Sequence, residues 1–386
     1  MNRKYALFMT VLLSVCLAMA GCKSFAVGSS VTESTKGLPN TGPLTINNKI
    51  ADKEIFSKGP NGEKAVSAKT LKLTEADIQK IKKGHYTAAI VMHYTGNDYV
   101  TAQLNALKAS FKRMGIKIIA VTDAQFKAEK QVSDIETVLA KSPDVIVSVP
   151  VDPVSTADAY KKAARAGVKI VFMDGVAKGL KPGKDYVSVV SGDNYGNGAE
   201  AAKIMGEKLH GKGKIGVIFH DADFFVTKQR QMAFEETIKK KFPKIKIVVR
   251  GGITSPNDGE KVASGMLTKY RDLDGIFAIW DVPAEGALAA ARTAGREDLV
   301  ITTTDLGTNV ALEIASNGIV KGLGAQLPYD QGIAEAILAG YALLGKQAPT
   351  YVATPALGVT KENLFDSWKL VYRQDVPKIV KEAAKQ

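Results

Sequence analysis

Polar and aromatic residues follow the ends of several apolar segments of this 386-residue sequence. Asp174 and Asp305 each end an apolar run, and Trp280 and Asp281 follow another. Carboxylates and amides bond hydroxyl groups, while aromatic rings cover the C–H face of a sugar. These residue types therefore predict a binding site for a small hydroxyl-bearing molecule. The predicted site residues are Tyr94, Asn97, Tyr99, Asp174, Arg230, Trp280, Asp281, Asp305 and Gln326.

Several of these residues also have a structural alternative. Tyr94 and Tyr99 can pack at the rim of a domain, and Arg230 stands in a charge-rich segment where solvent exposure is the default. Trp280 can belong to a core, although its place beside Asp281 at a strand end favours the site. Acids that precede a helical pattern can cap that helix instead of contacting a ligand.

Alternating strands and helices must position these residues. Continuous apolar runs are typical of parallel strands that are buried on both faces. One series comprises Ala88–His93, Ile116–Val121, Val145–Val149 and Val168–Met173, and a second comprises Ile215–Phe219, Ile245–Val249, Ile276–Ile279 and Val300–Thr304. Ligands of open α/β sheets bind at the carboxyl ends of the strands, where the polar residues lie. The sequence predicts an α/β fold of two doubly wound parallel-sheet lobes.

The first 22 residues have the pattern of an export signal. Two positive charges precede an apolar stretch of 15 residues, Ala6–Ala20, which is too short for a membrane span. Gly21 and Cys22 follow and resemble a bacterial lipobox, so residues 1–22 are predicted to be a lipoprotein signal peptide with lipidation of Cys22. Simple secretion with cleavage after Ala26 is the alternative. Because Cys16 lies inside the signal, the exported protein can form no internal disulfide.

Residues 23–84 are predicted to form a flexible tether with one short helix. The segment to Thr70 is rich in Ser, Thr, Gly, Pro, Asn and Lys and lacks hydrophobic periodicity. Thr74 and Asp77 form a capping-box pattern that predicts a helix ending near Lys83. Such a tether would let the folded body reach a partner while anchored to the membrane.

The composition excludes several functions. The formal net charge is +13, but the lysines are scattered over predicted helix faces without interleaved aromatic residues, which argues against nucleic-acid binding. The four histidines have no metal-ligand spacing, so no metal site is predicted. The sequence has no G-x-G-x-x-G motif after its first strand, no P-loop and no G-x-S-x-G nucleophile elbow, and we predict neither a cofactor nor an enzyme.

From Thr87 to Val371 the sequence resembles the ribose-type periplasmic sugar-binding proteins. The resemblance lies in Lys130–Glu136, Pro143–Val147, Asp193–Gly196, Gly275–Ala278 and Ala325–Pro328. It implies two lobes joined by a three-strand hinge, with residues 85–191 and 327–355 in an N-terminal lobe and 192–326 and 356–372 in a C-terminal lobe. Residues 373–386 are left as a tail helix. By position, the family's ligand contacts fall on Asn97, Tyr99, Asp174, Arg230, Asp305 and Gln326.

The sequence also departs from the family at the site. Gly175 replaces an arginine, Trp280 and Val149 replace asparagines, and His93 and Tyr94 replace small residues. Fewer fixed donors and more ring surface indicate a ligand other than plain ribose, which we expect to be a deoxy sugar, a polyol or a modified pentose.

The family implies a monomer that closes on a sugar or polyol by hinge motion and delivers it to an ABC transporter permease. Hinges are expected near Ser191-Gly192, Ala325-Gln326 and Ala356. The alternative is a sensor component with the same fold, which presents its ligand to a chemoreceptor or a membrane kinase. Nothing in the sequence separates these two roles.

Overall fold

The computed structural model describes residues 38–385. The strands of this part are β1 (Val66–Ser67), β2 (Thr87–Met92), β3 (Lys117–Asp123), β4 (Val145–Ser148), β5 (Lys169–Met173), β6 (Ser188–Gly192), β7 (Lys212–His220), β8 (Lys244–Ile253), β9 (Gly275–Ala278), β10 (Val300–Thr304), β11 (Val320–Ala325), β12 (Tyr351–Thr354) and β13 (Leu357–Val359). The α-helices are α1 (Glu75–Lys83), α2 (Asp98–Met114), α3 (Ala128–Leu139), α4 (Ala157–Arg165), α5 (Asn194–Lys208), α6 (Phe225–Lys241), α7 (Gly259–Lys269), α8 (Asp281–Thr293), α9 (Thr308–Ala315), α10 (Pro328–Leu343), α11 (Leu364–Tyr372) and α12 (Lys378–Ala383).

The strands form two separate sheets. The first has the order β1-β12-β6-β5-β4-β2-β3, and its strands are all parallel. The second has the order β13-β11-β10-β9-β7-β8 and is parallel except for the edge strand β13. Each sheet is the centre of one lobe.

Both faces of the first sheet are covered by helices. Along β5, Val171 belongs to the core beneath α2 and α10, while the next residue, Phe172, belongs to the core beneath α3 and α4. This alternation is expected because successive side chains of a strand point to opposite faces. Both residues are fully buried, which explains why these strands read as continuous apolar runs.

The chain passes between the lobes three times. It leaves the first sheet after β6, returns after β11, and crosses again between β12 and β13. The predicted fold of two doubly wound lobes joined by a three-strand hinge is therefore confirmed. The helix predicted at Gln331–Leu344 is α10, and it packs against α2 of the first lobe.

The prediction of a flexible tether is wrong for residues 38–73, which pack on the body, whereas the short helix predicted from the capping box is present as α1, with Thr74 and Asp77 forming the box. We call residues 38–73 the strap. Leu44 and Leu73 are fully buried and form an antiparallel bridge, and Ile50 is also buried. Strand β1 extends the first sheet through Val66 and Ser67. The composition was misleading because the strap's apolar residues are isolated anchors without a helical or strand period.

The strap also binds the hinge and the second lobe. The buried carboxylate of Asp193, which lies between β6 and α5, accepts hydrogen bonds from the backbone N–H groups of Phe56 at 3.1 Å and Ser57 at 2.9 Å. Lys58 exchanges two backbone-to-side-chain hydrogen bonds with Gln229 of α6, each at 3.3 Å. Side chains of the body thus satisfy backbone groups that a tether would expose to water.

Some predictions fall on residues 1–37 or on Gln386, which lie outside the described residues. They include the signal peptide, Cys22, the alternative cleavage after Ala26 and the first part of the tether. The predicted tail helix corresponds to α12, which packs against α9 and buries Val380.

No helix within residues 38–385 combines the length and the apolar character needed to cross a membrane. The same residues contain no group of three or more His, Cys, Asp or Glu side chains arranged to hold a metal ion.

Candidate functional site

A cavity of about 180 Å³ lies between the two lobes at the carboxyl ends of their strands. Side chains from both lobes line it, as the convergence of parallel strand ends predicts. Of the nine predicted site residues, the structure brings eight to this cavity: Tyr94, Asn97, Tyr99, Asp174, Arg230, Trp280, Asp305 and Gln326.

Asp281 is the predicted residue that does not line the cavity. It is buried at the start of α8, and its Oδ1 accepts a hydrogen bond from the N–H of Val282 at 3.0 Å. A Cβ atom built on Gly307 would lie 2.4 Å from Asp281 Oδ2, so this carboxylate packs against the backbone of Gly307. Burial raises the pKa of Asp281 well above its usual value. Its neighbour Trp280 faces the cavity.

Asp174 and Asp305 have the same unusual backbone conformation. Each follows the last residue of a strand, β5 or β10, and their φ angles are 56° and 67°. A left-handed conformation costs an L-residue roughly 1–2 kcal/mol, although Asp tolerates it better than most. Strained backbone of this kind concentrates at functional sites. Here it turns the chain sharply at the strand end, with both carboxylates at the cavity.

Arg230 is held by the second lobe. Although its helix is rich in charge, the residue is only 3% exposed. Its Nη1 donates to Asp305 Oδ2 at 2.9 Å and to Thr304 Oγ1 at 2.8 Å, and its Nε donates to Asn194 Oδ1 at 2.9 Å. The guanidinium thus compensates the buried carboxylate, and three partners fix its orientation.

Asp174 of the first lobe has hydroxyl partners. The Ser191 hydroxyl donates to its Oδ1 at 2.7 Å, and the Tyr99 hydroxyl lies 3.4 Å from its Oδ2. Burial raises the pKa of Asp174 to about 6, against the effect of the Ser191 hydrogen bond. Tyr99 also donates to Gln331 Oε1 at 2.8 Å, and burial raises its pKa well above the usual value.

Hydrogen bonds join the two halves into a closed ring. Gln326 donates through Nε2 to Asp305 at 3.0 Å, and its Oε1 accepts from Gln331 Nε2 at 3.1 Å. On the other side, Asn194 Nδ2 donates to Ser191 Oγ at 2.9 Å. The ring runs through Asp174, Tyr99, Gln331, Gln326, Asp305, Arg230, Asn194 and Ser191. Five members of the ring line the cavity and form its polar floor, with groups from both lobes: Asp174, Tyr99, Gln326, Asp305 and Arg230.

Aromatic rings form another part of the cavity lining, the aromatic wall. Tyr94 stacks on Phe126 with ring centroids 4.3 Å apart, and His93 faces Phe224 across the lobes at 6.0 Å with an angle of 14° between the rings. Trp280 makes an edge contact with His220 at 5.3 Å.

The two histidines of this wall are neutral at neutral pH. Burial lowers the pKa of His93 to about 3, and it also lowers that of His220. The cavity therefore offers uncharged ring surface together with a charged, hydrogen-bonding floor.

The sequence-based prediction missed part of this wall. His220 is the last residue of β7 and Phe224 lies four residues after it, and this position at a strand end was the available signal. Phe126 comes from the loop after β3, where its φ of 58° places it, and no pattern in the sequence marks that position. His93 was recognised at the end of the first predicted strand and as a departure from the family, but it was not among the predicted site residues.

Comparison with known proteins agrees with this architecture. The sequence profile of a family described as "Periplasmic binding protein domain" matches residues 88–347. The ribose import binding protein of Bacillus subtilis (strain 168) is 26% identical over 220 residues, which are 57% of this chain and 70% of that protein. The D-apiose import binding protein of Actinobacillus succinogenes is 24% identical over 280 residues, 72% of this chain and 86% of the relative.

Solved structures show the same fold. An ABC transporter solute-binding protein from Actinobacillus succinogenes 130z with bound D-allose has a TM-score of 0.65 and 25% identity, covering 73% of this chain and 99% of that one. One from Agrobacterium vitis, bound with α-D-tagatopyranose, has a TM-score of 0.68 and 23% identity, covering 75% and 100%. These are solute-binding proteins and not a class of enzyme. With the profile matching about two thirds of its length, the chain belongs to the periplasmic binding protein family.

Proposed function

We propose that this protein is the solute-binding component of an ABC importer and captures a monosaccharide or a polyol by closing its two lobes. The observation that carries the proposal is the hydrogen-bonded ring, which presents carboxylate, guanidinium and amide groups of both lobes to one cavity. The import proteins among its relatives support the transport role.

Closure follows from the position of the binding groups. Asp174 belongs to the first lobe and Arg230 with Asp305 to the second, so a ligand that bonds to all three favours the closed state. Each hydrogen bond to a charged group contributes roughly 1.5–3 kcal/mol. A second contact supports the closed arrangement: Thr308 donates to Asp98 Oδ2 through both its N–H and its hydroxyl, each at 2.7 Å.

The residues of the cavity support a ligand that differs from plain ribose. Nδ1 of His93 is buried, and no residue in the range 38–385 bonds to it. The wall around it is mostly aromatic. A deoxy sugar, a modified pentose or a polyol would place apolar C–H groups on these rings and hydroxyls on the floor.

Tryptophan fluorescence offers a direct test. Trp280 lines the cavity, and Trp368 of α11 is the other tryptophan of the chain. We expect a ligand-dependent change in emission that persists in Trp368→Phe and disappears in Trp280→Phe. The measurement is a titration with D-ribose, D-allose, D-arabinose, L-fucose and allitol, with calorimetry run in parallel so that a Trp280→Phe variant that still binds is recognised.

Three outcomes would argue against the proposal or part of it. If no member of the panel binds with a Kd below 1 mM, the cavity does not recognise sugars or polyols. An undiminished fluorescence change in Trp280→Phe would place the ligand elsewhere. If D-ribose binds more tightly than the other members of the panel, the proposed ligand class of deoxy sugars, modified pentoses and polyols is wrong. The bound sugar should be recovered unchanged, because the protein is proposed to have no catalytic activity.

The proposal includes export and anchoring. The Cys22 pattern supports a lipid anchor that holds a monomer near its permease. We expect cells that express the full chain to incorporate labelled palmitate into it, and expect Cys22→Ser to abolish the label and release the protein from the membrane fraction. A variant that keeps its label would contradict the anchor, and release of wild-type protein cleaved after Ala26 would favour simple secretion.

A further inference from the structure

A second cavity, of about 410 Å³, lies beside the first. We call it the side groove and define it by Pro60, Val154, Gly175, Phe224, Phe225 and Met232. Phe224 lines both cavities, and Gly175 directly follows Asp174 of the first cavity. The side groove therefore begins where the floor and wall of the first cavity end.

The side groove has exposed apolar side chains on both of its walls. Val154 of the first lobe is 56% exposed and Met232 of the second lobe is 47% exposed. Large apolar side chains are common singly on protein surfaces, but opposed ones in a concave site mark a place for an apolar occupant. Of the charged side chains that line the side groove, Lys228 and Asp223 form an ion pair with each other, and Lys178 adds one positive charge.

Gly175 leaves open space in the side groove next to Asp174 of the first cavity. A Cβ atom built on Gly175 would have no heavy atom within 4 Å, so the space beside it is empty. Phe224 is the neighbouring wall, and its ring is only partly buried. This open space borders the residue that follows Asp174, so it is the side on which a substituent of a ligand bonded to Asp174 would meet the side groove.

The strap supplies the outer wall of the side groove. Pro60 and Asn61 line it, and hydrogen bonds fix both sides of this turn. Lys58 is bonded to Gln229, and the Asn61 side chain donates to Glu63 at 2.9 Å. The family match begins at residue 88, so this wall belongs to a part of the chain outside the shared domain.

We propose that the side groove binds a flat apolar aglycone of a glycoside whose sugar occupies the first cavity. The inference rests on the proposed sugar-binding function and extends it from a free sugar to a substituted one. A first cavity of about 180 Å³ suits a single sugar ring, so a substituent must lie outside it. Proline, valine and phenylalanine surfaces favour an aryl group over a second, hydroxylated sugar.

Matched glycosides test the proposal. The methyl and phenyl β-glycosides of the four reducing sugars in the panel would be titrated calorimetrically into the wild type and into Gly175→Arg, Val154→Asp and Met232→Glu. We expect a phenyl glycoside to bind at least tenfold more tightly than its methyl counterpart, or about 1.4 kcal/mol. In each of these three variants, the ratio of the Kd of the methyl glycoside to the Kd of the phenyl glycoside should fall towards one. Ile379→Asp, which replaces another 56%-exposed side chain, is the matched control and should keep the ratio.

The possible outcomes separate this inference from the function on which it rests. Equal affinity for the methyl and phenyl glycosides would overturn the proposed aglycone site without affecting the proposal that the first cavity binds a free sugar. A preference for the phenyl glycoside that none of the groove variants lowers would have the same consequence. Tighter binding of a disaccharide such as lactose than of any phenyl glycoside would overturn the apolar class. If the protein binds allitol but none of the sugars or glycosides, the proposal of a glycoside ligand would also be overturned. Failure of the whole panel, free sugars included, would overturn both proposals.

Discussion

Arg230→Ala is expected to lower the free energy of unfolding by about 3 kcal/mol and to weaken ligand binding at least tenfold. The substitution leaves the carboxylate of Asp305 buried at 8% exposure without its cation, at the centre of the hydrogen-bonded ring. An uncompensated buried charge is the costly state, more than the loss of the pair itself. Urea denaturation and calorimetric titration with the tightest panel ligand measure the two effects.

Two controls make this prediction specific. Arg230→Ala combined with Asp305→Asn removes both charges, so it should recover part of the lost stability without recovering binding. Arg250 makes a similar two-nitrogen contact with Glu235, but its side chain is 45% exposed. Arg250→Ala should therefore cost less than 1 kcal/mol and leave binding unchanged. Equal effects of Arg230→Ala and Arg250→Ala would contradict the central role of the buried pair.

Strand ends made the polar floor predictable from the sequence. Asp174 and Asp305 interrupt apolar runs, and parallel topology brings such positions to one edge. The strand-end rule failed for Asp281. Neighbouring residues at a strand end point in different directions, and the side chain that lines the cavity here is that of Trp280. A strand end identifies a pair of neighbouring residues, and only packing decides which of them faces the ligand.

The aromatic wall and the strap were less predictable for a different reason. Phe126 reaches the cavity through a loop conformation with positive φ, and no periodic pattern in the sequence predicts such a conformation. The strap is fixed by single contacts, such as the Asp193 carboxylate on the backbone of Phe56 and Ser57. Hydrophobic periodicity identifies segments that bury one continuous face, but it does not identify segments that are held by contacts at separate points.

Asp174 is expected to make the stability of the free protein fall as pH rises. Its pKa is about 6 in the folded protein, against an ordinary value of 3.8, because burial disfavours the charged form. The folded state therefore binds a proton more tightly than the unfolded state does. This contribution to stability is fully present below pH 3.8, is lost as pH rises through 6, and amounts to about 3 kcal/mol at 1.36 kcal/mol per pH unit.

The comparison with Asp174→Asn isolates this group from all others. Urea denaturation of both proteins at pH 4 and pH 7 gives two stability differences, in which the other titrating groups cancel. Between these pH values the wild type should lose about 2 kcal/mol relative to Asp174→Asn, most of the full contribution, because the unfolded carboxyl is already partly ionised at pH 4. A difference that stays constant, or that changes in the opposite direction, would show that Asp174 is not held in a desolvated site.

Ligand binding should respond to pH in the opposite direction. Hydroxyl groups that donate to Asp174 stabilise its ionised form and lower its pKa in the complex. Below pH 6 binding must then release a proton, so affinity for a neutral sugar should fall as the solution is acidified, while the free protein gains stability from the same group. Asp174→Asn should remove both trends together, because one buried carboxylate that faces the cavity produces them.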